Sequence, residues 1–466
     1  MRYVSTRGEA PELTFEDVLL TGLARDGGLY VPARWPQISA HDLRALRGQS
    51  YEDVAFAVMA PFIGDAIPGT DLKHMIAGAY GSFGHPAVAP LKQLDDNHFL
   101  LELFHGPTLA FKDVAMQLLS RLMDYALVRH RRRATIIGAT SGDTGGAAID
   151  AFKASAHAAI FILHPHGRVS DVQRRQMTTV ASPSVHNIAI EGTFDDCQAI
   201  VKALFNDHQF RDGVNLAGVN SINWARIMAQ IVYYVTAALS LGGPDRPVSF
   251  CVPTGNFGDV FAGFVAKRMG VAIDRLVIAT NVNDILDRTL KTGRYDMKCV
   301  KPSSSPSMDI QISSNFERLL FEVVGRDAND VRRLMASLGQ SGAFAIGERE
   351  LQAIRDEFDS GASDEATTAA AIRQTLAQTG ELLDPHTAVG YAVARRQPAS
   401  ASPMVILATA HPAKFPAAMQ QATGQRPALP PALADLYDRP ERYTRLPADL
   451  ATIEAAVRAT VLRNAA

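Results

Sequence analysis

Lys112 sits in the segment Glu102-Leu103-Phe104-His105-Gly106-Pro107-Thr108-Leu109-Ala110-Phe111-Lys112-Asp113, where an apolar run gives way to the helical pattern Val114 to Leu127. A lysine in the first turn of a helix opposes the macrodipole, which disfavours its ammonium form. Leu109 and Phe111 beside it would strip away water, which acts in the same direction. Both effects favour a nucleophilic amine, able to bond a carbonyl carbon or to move protons. Position alone still favours the simpler reading, an exposed lysine at a helix start.

Two glycine-rich loops form the second kind of candidate. Ala134 to Ala139 leads through Thr140-Ser141-Gly142-Asp143-Thr144-Gly145-Gly146 into Ala147 to Phe152. Val248 to Pro253 leads through Thr254-Gly255-Asn256-Phe257-Gly258-Asp259 into Val260 to Met269. Backbone N–H groups at such strand-to-helix turns bind anions. Gly138-x-x-x-Gly142-x-x-Gly145 lacks the dinucleotide spacing, and no P-loop pattern follows a strand. Taken alone, Gly255 to Asp259 is explained equally by a tight turn.

These loops need strands to present them. Besides Ala134–Ala139 and Val248–Pro253, the runs Arg275 to Thr280 and Met404 to Ala408 read as buried strands. Continuous aliphatic runs alternating with helical patterns predict parallel sheets covered on both faces, an α/β class. A helix is expected after Ser363 as N-cap, running through Ile372 and Leu376 to Gly380. The stretch Ile227 to Leu241 reads as a buried helix, too short and too mixed to span a bilayer. The proline-bearing C-terminal stretch, from Pro427 to Pro447, reads as a surface wrap.

At 466 residues the chain exceeds one ordinary core, so two or three domains are expected. A net charge of -2 gives no reason for a nucleic-acid or membrane partner. The basic run Arg129 to Arg133 reads as a solvated helix end. Three widely spaced cysteines, Cys197, Cys251 and Cys299, form neither a zinc pattern nor a disulfide framework, and a cytoplasmic setting fits them. His164-Pro165-His166 has no further ligand at metal spacing, so it reads as a loop pair and no metal is expected.

The segment Glu102 to Asp113 is similar, nearly letter for letter, to the lysine segment of threonine synthases, within the fold type II pyridoxal-phosphate enzymes. Ala139 to Gly145, Val219-Asn220-Ser221-Ile222-Asn223, Gly255 to Asp259 and Thr409-Ala410-His411-Pro412-Ala413-Lys414-Phe415 resemble that family in the same order. Asp26 to Pro32 resembles its amino-terminal segment, so the similarity spans almost the whole chain.

The resemblance implies that pyridoxal 5'-phosphate is the cofactor and O-phosphohomoserine the substrate, converted to threonine and phosphate. It implies that Lys112 bonds the cofactor and moves protons. Gly255, Asn256, Phe257 and Gly258 would cradle the cofactor phosphate, with Asp259 starting the next helix, and Thr409 would set a hydroxyl near the pyridine nitrogen. Ser141, Gly142, Asp143 and Thr144 would take the substrate carboxylate. Asn220, Ser221, Asn223 and Arg226 would hold the substrate phosphate or close the cleft; an exposed helix residue is the equal alternative for Arg226. His105 would pack or orient as readily as catalyse, and His411 would shape the Thr409 loop.

The implied architecture is two parallel-sheet α/β domains, similar to the tryptophan synthase β type, with an extra N-terminal segment at 1–94. A large domain would comprise 95–128 and 224–466, and a small mobile one 129–223. The site would lie between them, in a monomer. Neighbouring activities on the same machinery are a serine or threonine dehydratase and a phospholyase ending at a 2-oxo acid. A non-catalytic binding module and a nucleotide-fold dehydrogenase complete the alternatives.

Overall fold

The computed structural model describes residues 1–465. The larger of its two main sheets has the strand order Phe358–Ala362, Ile273–Thr280, Val248–Pro253, Met404–Ala408, His98–Glu102 and Leu91–Gln93. Every neighbouring pair is parallel except the last, where Leu91–Gln93 runs against His98–Glu102. The smaller sheet is parallel throughout, in the order Thr444–Pro447, Val185–Glu191, Ala158–Pro165, Ala134–Ala139 and Leu216–Ala217.

The aliphatic runs make these strands because side chains alternate across a sheet whose two faces are both dry. In Met404–Ala408, Val405 and Leu407 enter one core while Met404, Ile406 and Ala408 enter another. In Ala134–Ala139, Ile136 and Ile137 divide in the same way between the main core and that of the small unit. Each fully buried Val, Leu, Ile or Phe contributes roughly 1.5–3 kcal/mol.

The central helix is Trp224–Ser240, buried nearly all round. Asn223 caps it, its side-chain oxygen accepting from Ala225 N at 3.0 Å. It packs on Tyr51–Ile63, Lys112–Arg129 and Gly258–Arg268, and Trp224 meets Tyr3 and Phe62 of the N-terminal segment. No described helix is long and apolar enough to cross a membrane.

Three expectations are corrected. The helix Glu365–Thr379 is capped by Asp364, whose carboxylate accepts from Thr367 N at 2.8 Å, while Ser363 is buried against Thr368. His164 lies inside the strand Ala158–Pro165 and is buried, not in a loop. Residues 444–465, expected in the large unit, extend the small one. Thr444–Pro447 adds an edge strand there, and Ile453 and Val457 of the following helix enter its core. The basic run is also less free than expected: Arg129 and His130 both reach Glu16, at 2.8 and 2.9 Å.

Candidate active site

Parallel strands deliver their C-terminal ends to one edge, and ligands bind where such edges face a crevice. Ala139, Pro253 and Thr409 all border one cavity of about 1130 Å³ between the two sheets. Lys112, Ser141, Asp143, Thr144, Asn220, Ser221 and Arg226 line it, as do Gly255, Asn256, Phe257, Gly258 and Asp259. Of the residues expected from sequence, Gly142 and Asn223 stand outside it.

Lys112 is the first residue of the helix Lys112–Arg129 and is only 7% exposed. Burial lowers its amine to about 8, although Asp143 pulls the other way. Its approach is fixed by a short pairing with the Thr409 loop: Phe111 N donates to the Thr409 carbonyl at 2.8 Å, and His411 N to Leu109 O at 3.1 Å. Asp113, wholly buried, holds the turn before it by accepting from Thr108 N and Oγ1 at 2.8 and 2.7 Å. No β-carbon fits at Gly106, because Asp113 fills that space.

The Gly255 loop is pinned through its carbonyls. Ser313 Oγ donates to the Gly255 carbonyl at 2.7 Å, and Asn315 N and Nδ2 donate to the Asn256 carbonyl, both at 3.0 Å. In a trans peptide the N–H points opposite to the carbonyl, so these bonds leave the N–H groups of Asn256 and Phe257 on the other side of the loop, and both residues line the cavity. Phe257, at φ +65°, precedes the helix Gly258–Arg268, which has no side-chain cap and leaves its first N–H groups open. A β-carbon on Gly255 would approach Ser307 O to 2.8 Å. Asp259 points down to Tyr233 and Tyr234, and burial pushes its carboxyl up to about 6.

In the Ser141 loop, Thr140 Oγ1 accepts from Gly142 N and Gly145 N, both at 2.9 Å. Gly142 adopts φ +146° against Gln173, which is why it shapes the turn without reaching the cavity. The Asp143 carboxylate is buried and taken by Lys414 and Gln173, at 2.9 and 2.8 Å. A buried anion repels another, so any carboxylate bound here would meet the N–H groups of Asp143 and Thr144, not this side chain.

Arg226 is 4% exposed, not the exposed helix residue that was its alternative. Its Nη1 donates to Val219 O at 3.2 Å, while its buried Nε has no partner. Burial lowers it to about 10, which still leaves it charged at neutral pH. Asn223 is corrected: its side chain caps Trp224–Ser240 and donates to Leu19 O and Gly218 O, at 2.9 and 3.2 Å, so no polar group is left for substrate. His411 shapes its loop by accepting from Ala413 N at 3.1 Å, and His105 bonds Glu102 at 2.7 Å.

The cavity thus offers a buried amine of lowered basicity, a nest of open amides and a buried guanidinium short of a partner. Those groups fit a phosphorylated carbonyl cofactor beside a second anion. Sequence reasoning missed Arg7, Gln230, Ser307 and His386 on the cavity wall, and Lys414 behind it. Arg7, held by Glu317 at 2.9 Å, shows that the N-terminal segment closes part of the cavity. Only Lys414 carried a signal, lying in the quoted Thr409 motif.

Residues 85–410 match the family model described as pyridoxal-phosphate-dependent enzyme, so fold and site define a pyridoxal-phosphate enzyme. Residues 2–80 match threonine synthase N terminus, and 387–457 match threonine synthase, C-terminal. A threonine synthase of Pseudomonas aeruginosa is 54% identical, the match covering 98% of each chain. The crystal structure of a threonine synthase from Brucella melitensis with the cofactor bound superposes at TM-score 0.97, with 61% identity over 99% of each chain. That of the yeast enzyme gives 0.94 and 38%, again over 99% of each. The chain belongs to the threonine synthase family, and its activity is that of a pyridoxal-phosphate-dependent lyase of threonine biosynthesis.

Proposed function

We propose that the cavity performs β,γ-elimination of phosphate from O-phospho-L-homoserine and adds water at Cβ to give L-threonine, with Lys112 as acid and base. When bound, pyridoxal phosphate supplies the electron sink for charge developing on the substrate carbons. Lys112 Nζ carries the cofactor until the substrate amine replaces it. It then takes the Cα proton and returns protons along the substrate, a task suited to an amine lowered to about 8. The Asn256 to Gly258 amides would hold the cofactor phosphate at a helix N-terminus. Thr409 would put a neutral hydroxyl beside the pyridine nitrogen and leave it unprotonated. Ser141 and the N–H groups of Asp143 and Thr144 would orient the α-carboxylate.

The observation that carries this reading is Arg226, whose buried, unpaired Nε calls for an anion other than the one the Gly255 loop takes. With Asn220 and Ser221 it would receive the substrate phosphate and stabilise it as it leaves. The unit built on Ala134–Ala139 would close on substrate, tightening the contact that the Ser141 loop already makes with Lys112 through Asp143. The enzyme would act as a monomer, and the free cysteines fit a cytoplasmic setting.

The test is product analysis with O-phosphohomoserine and pyridoxal phosphate, beside Lys112→Ala and Arg226→Gln. Threonine should appear in step with phosphate, vanish in Lys112→Ala, and need at least about tenfold more substrate in Arg226→Gln. Phosphate accompanied by 2-oxobutyrate would instead identify a phospholyase.

A further inference from the structure

Lys414 is a charged side chain with no exposure, and none of the cofactor or substrate roles above uses it. It ends the short turn Pro412–Lys414 that follows Thr409, and its ammonium reaches back beneath the lysine loop. Two acceptors take it: Thr108 O at 2.6 Å and Asp143 Oδ1 at 2.9 Å. Gln173 Nε2 donates to that same carboxylate oxygen at 2.8 Å. The other oxygen, Oδ2, stands 3.8 Å from Lys112 Nζ and 3.4 Å from Ser307 Oγ. Asp143 is therefore shared between two buried amines, one oxygen toward each. The carboxylate comes from the small unit and both amines from the large one. Ser170, the N-cap of the helix Asp171–Thr178 that carries Gln173, also donates from Oγ to Lys414 O, at 3.3 Å.

We propose that Lys414 is a positioning residue that clamps the Asp143 carboxylate beside Lys112 and offsets its charge, thereby setting how tightly the Lys112 nitrogen holds a proton. The proposal rests on Lys112 being the cofactor-bearing lysine. The charges facing Lys112 are Asp143 and Asp259 of one sign, Arg226 and Lys414 of the other. A carboxylate 3.8 Å away and free of Lys414 would keep the Lys112 nitrogen protonated and useless as a base. A neutral residue at 143 would leave Lys112 facing Arg226 and Lys414 with only Asp259 of opposite sign. With Lys414 in place the carboxylate is oriented and most of its charge is spent, so Lys112 can exchange a proton near neutral pH. Because Asp143 rides on the small unit, any movement of that unit also changes the proton affinity of Lys112.

The test uses the holoenzyme and follows the pH titration of the bound cofactor's visible absorbance, together with the pH profile of kcat/KM. Lys414→Met should move the titration up by about one pH unit, and Asp143→Asn should move it down by a similar amount. The double variant should fall between them, within about half a unit of the native enzyme. A purely structural Lys414, needed only to hold Thr108, predicts that Asp143→Asn compensates nothing. Singles that shift in the same direction, or a titration unmoved by Lys414→Met, would overturn the clamp. If Lys414→Met yields no folded holoenzyme, Lys414→Gln takes its place: an upward move supports the clamp and no move overturns it. A Lys112→Ala protein that keeps the same pH-dependent absorbance would refute the Lys112 assignment instead, leaving a distinct signature.

Discussion

Replacing Lys112 by methionine should stabilise the cofactor-free protein at neutral pH while abolishing its activity. The ammonium is 7% exposed, and its pKa falls from 10.5 to about 8, chiefly through desolvation. At about 1.36 kcal/mol per pH unit, that interval is about 3 kcal/mol of folding free energy. The sign follows from proton binding. Below pH 8 both folded and unfolded chains are protonated at this site, and the folded chain bears the whole cost of burying the charge. Between pH 8 and 10.5 the folded chain sheds the proton while the unfolded chain keeps it, so the penalty fades as pH rises and is gone above 10.5. Methionine has nearly the same length and no charge, and Asp143 keeps Lys414 at 2.9 Å. Urea unfolding of both cofactor-free proteins at pH 7 and pH 10 measures the difference. The variant should lead by about 3 kcal/mol at pH 7 and by much less at pH 10. A lead of equal size at both pH values, or a variant less stable at pH 7, would refute the reasoning.

Other expectations concern the loops around the cavity. Gly255→Ala should weaken cofactor binding by at least about tenfold in a spectral titration, because its β-carbon would meet the Ser307 carbonyl at 2.8 Å and the amides would shift. Asn223→Ala removes a helix cap and two buried donor bonds, so the protein should lose about 2–4 kcal/mol in chemical denaturation while the KM for substrate stays unchanged. A raised KM with full stability would return Asn223 to the substrate site. Asp113→Ala leaves the buried N–H and hydroxyl of Thr108 without an acceptor, and about 2–4 kcal/mol of stability should be lost, visible as a lower Tm.

Much of this enzyme is legible in its sequence because the information is local. A short apolar run bounded by turn signals reads as a strand with both faces dry, so Val248–Pro253 and Met404–Ala408 are predictable from sequence. The glycines after such runs mark the turns, since Gly142 and Gly255 occupy conformations or spaces that deny a β-carbon. Lys112 at a helix start is local too, and so is its lowered basicity in direction, though not in size. The family resemblance rests on those same segments and carries the cofactor and substrate with it.

The tertiary structure alone decided which charges meet. Asn223 and Arg226 lie in one short stretch and read alike, yet one spends its side chain on a helix cap and two backbone carbonyls while the other keeps a buried Nε without a partner. Nothing local in the sequence assigns a partner to the Asp143 carboxylate, which is held by Lys414 from a distant loop. The stretch from Pro427 to Pro447 reads as a surface wrap, but its last four residues, Thr444–Pro447, add an edge strand to the smaller sheet. Periodicity and turn chemistry act between near neighbours and leave their mark in the sequence. Burial of a charge, and the partner that makes it tolerable, depend on which strand ends the two sheets bring to one cavity.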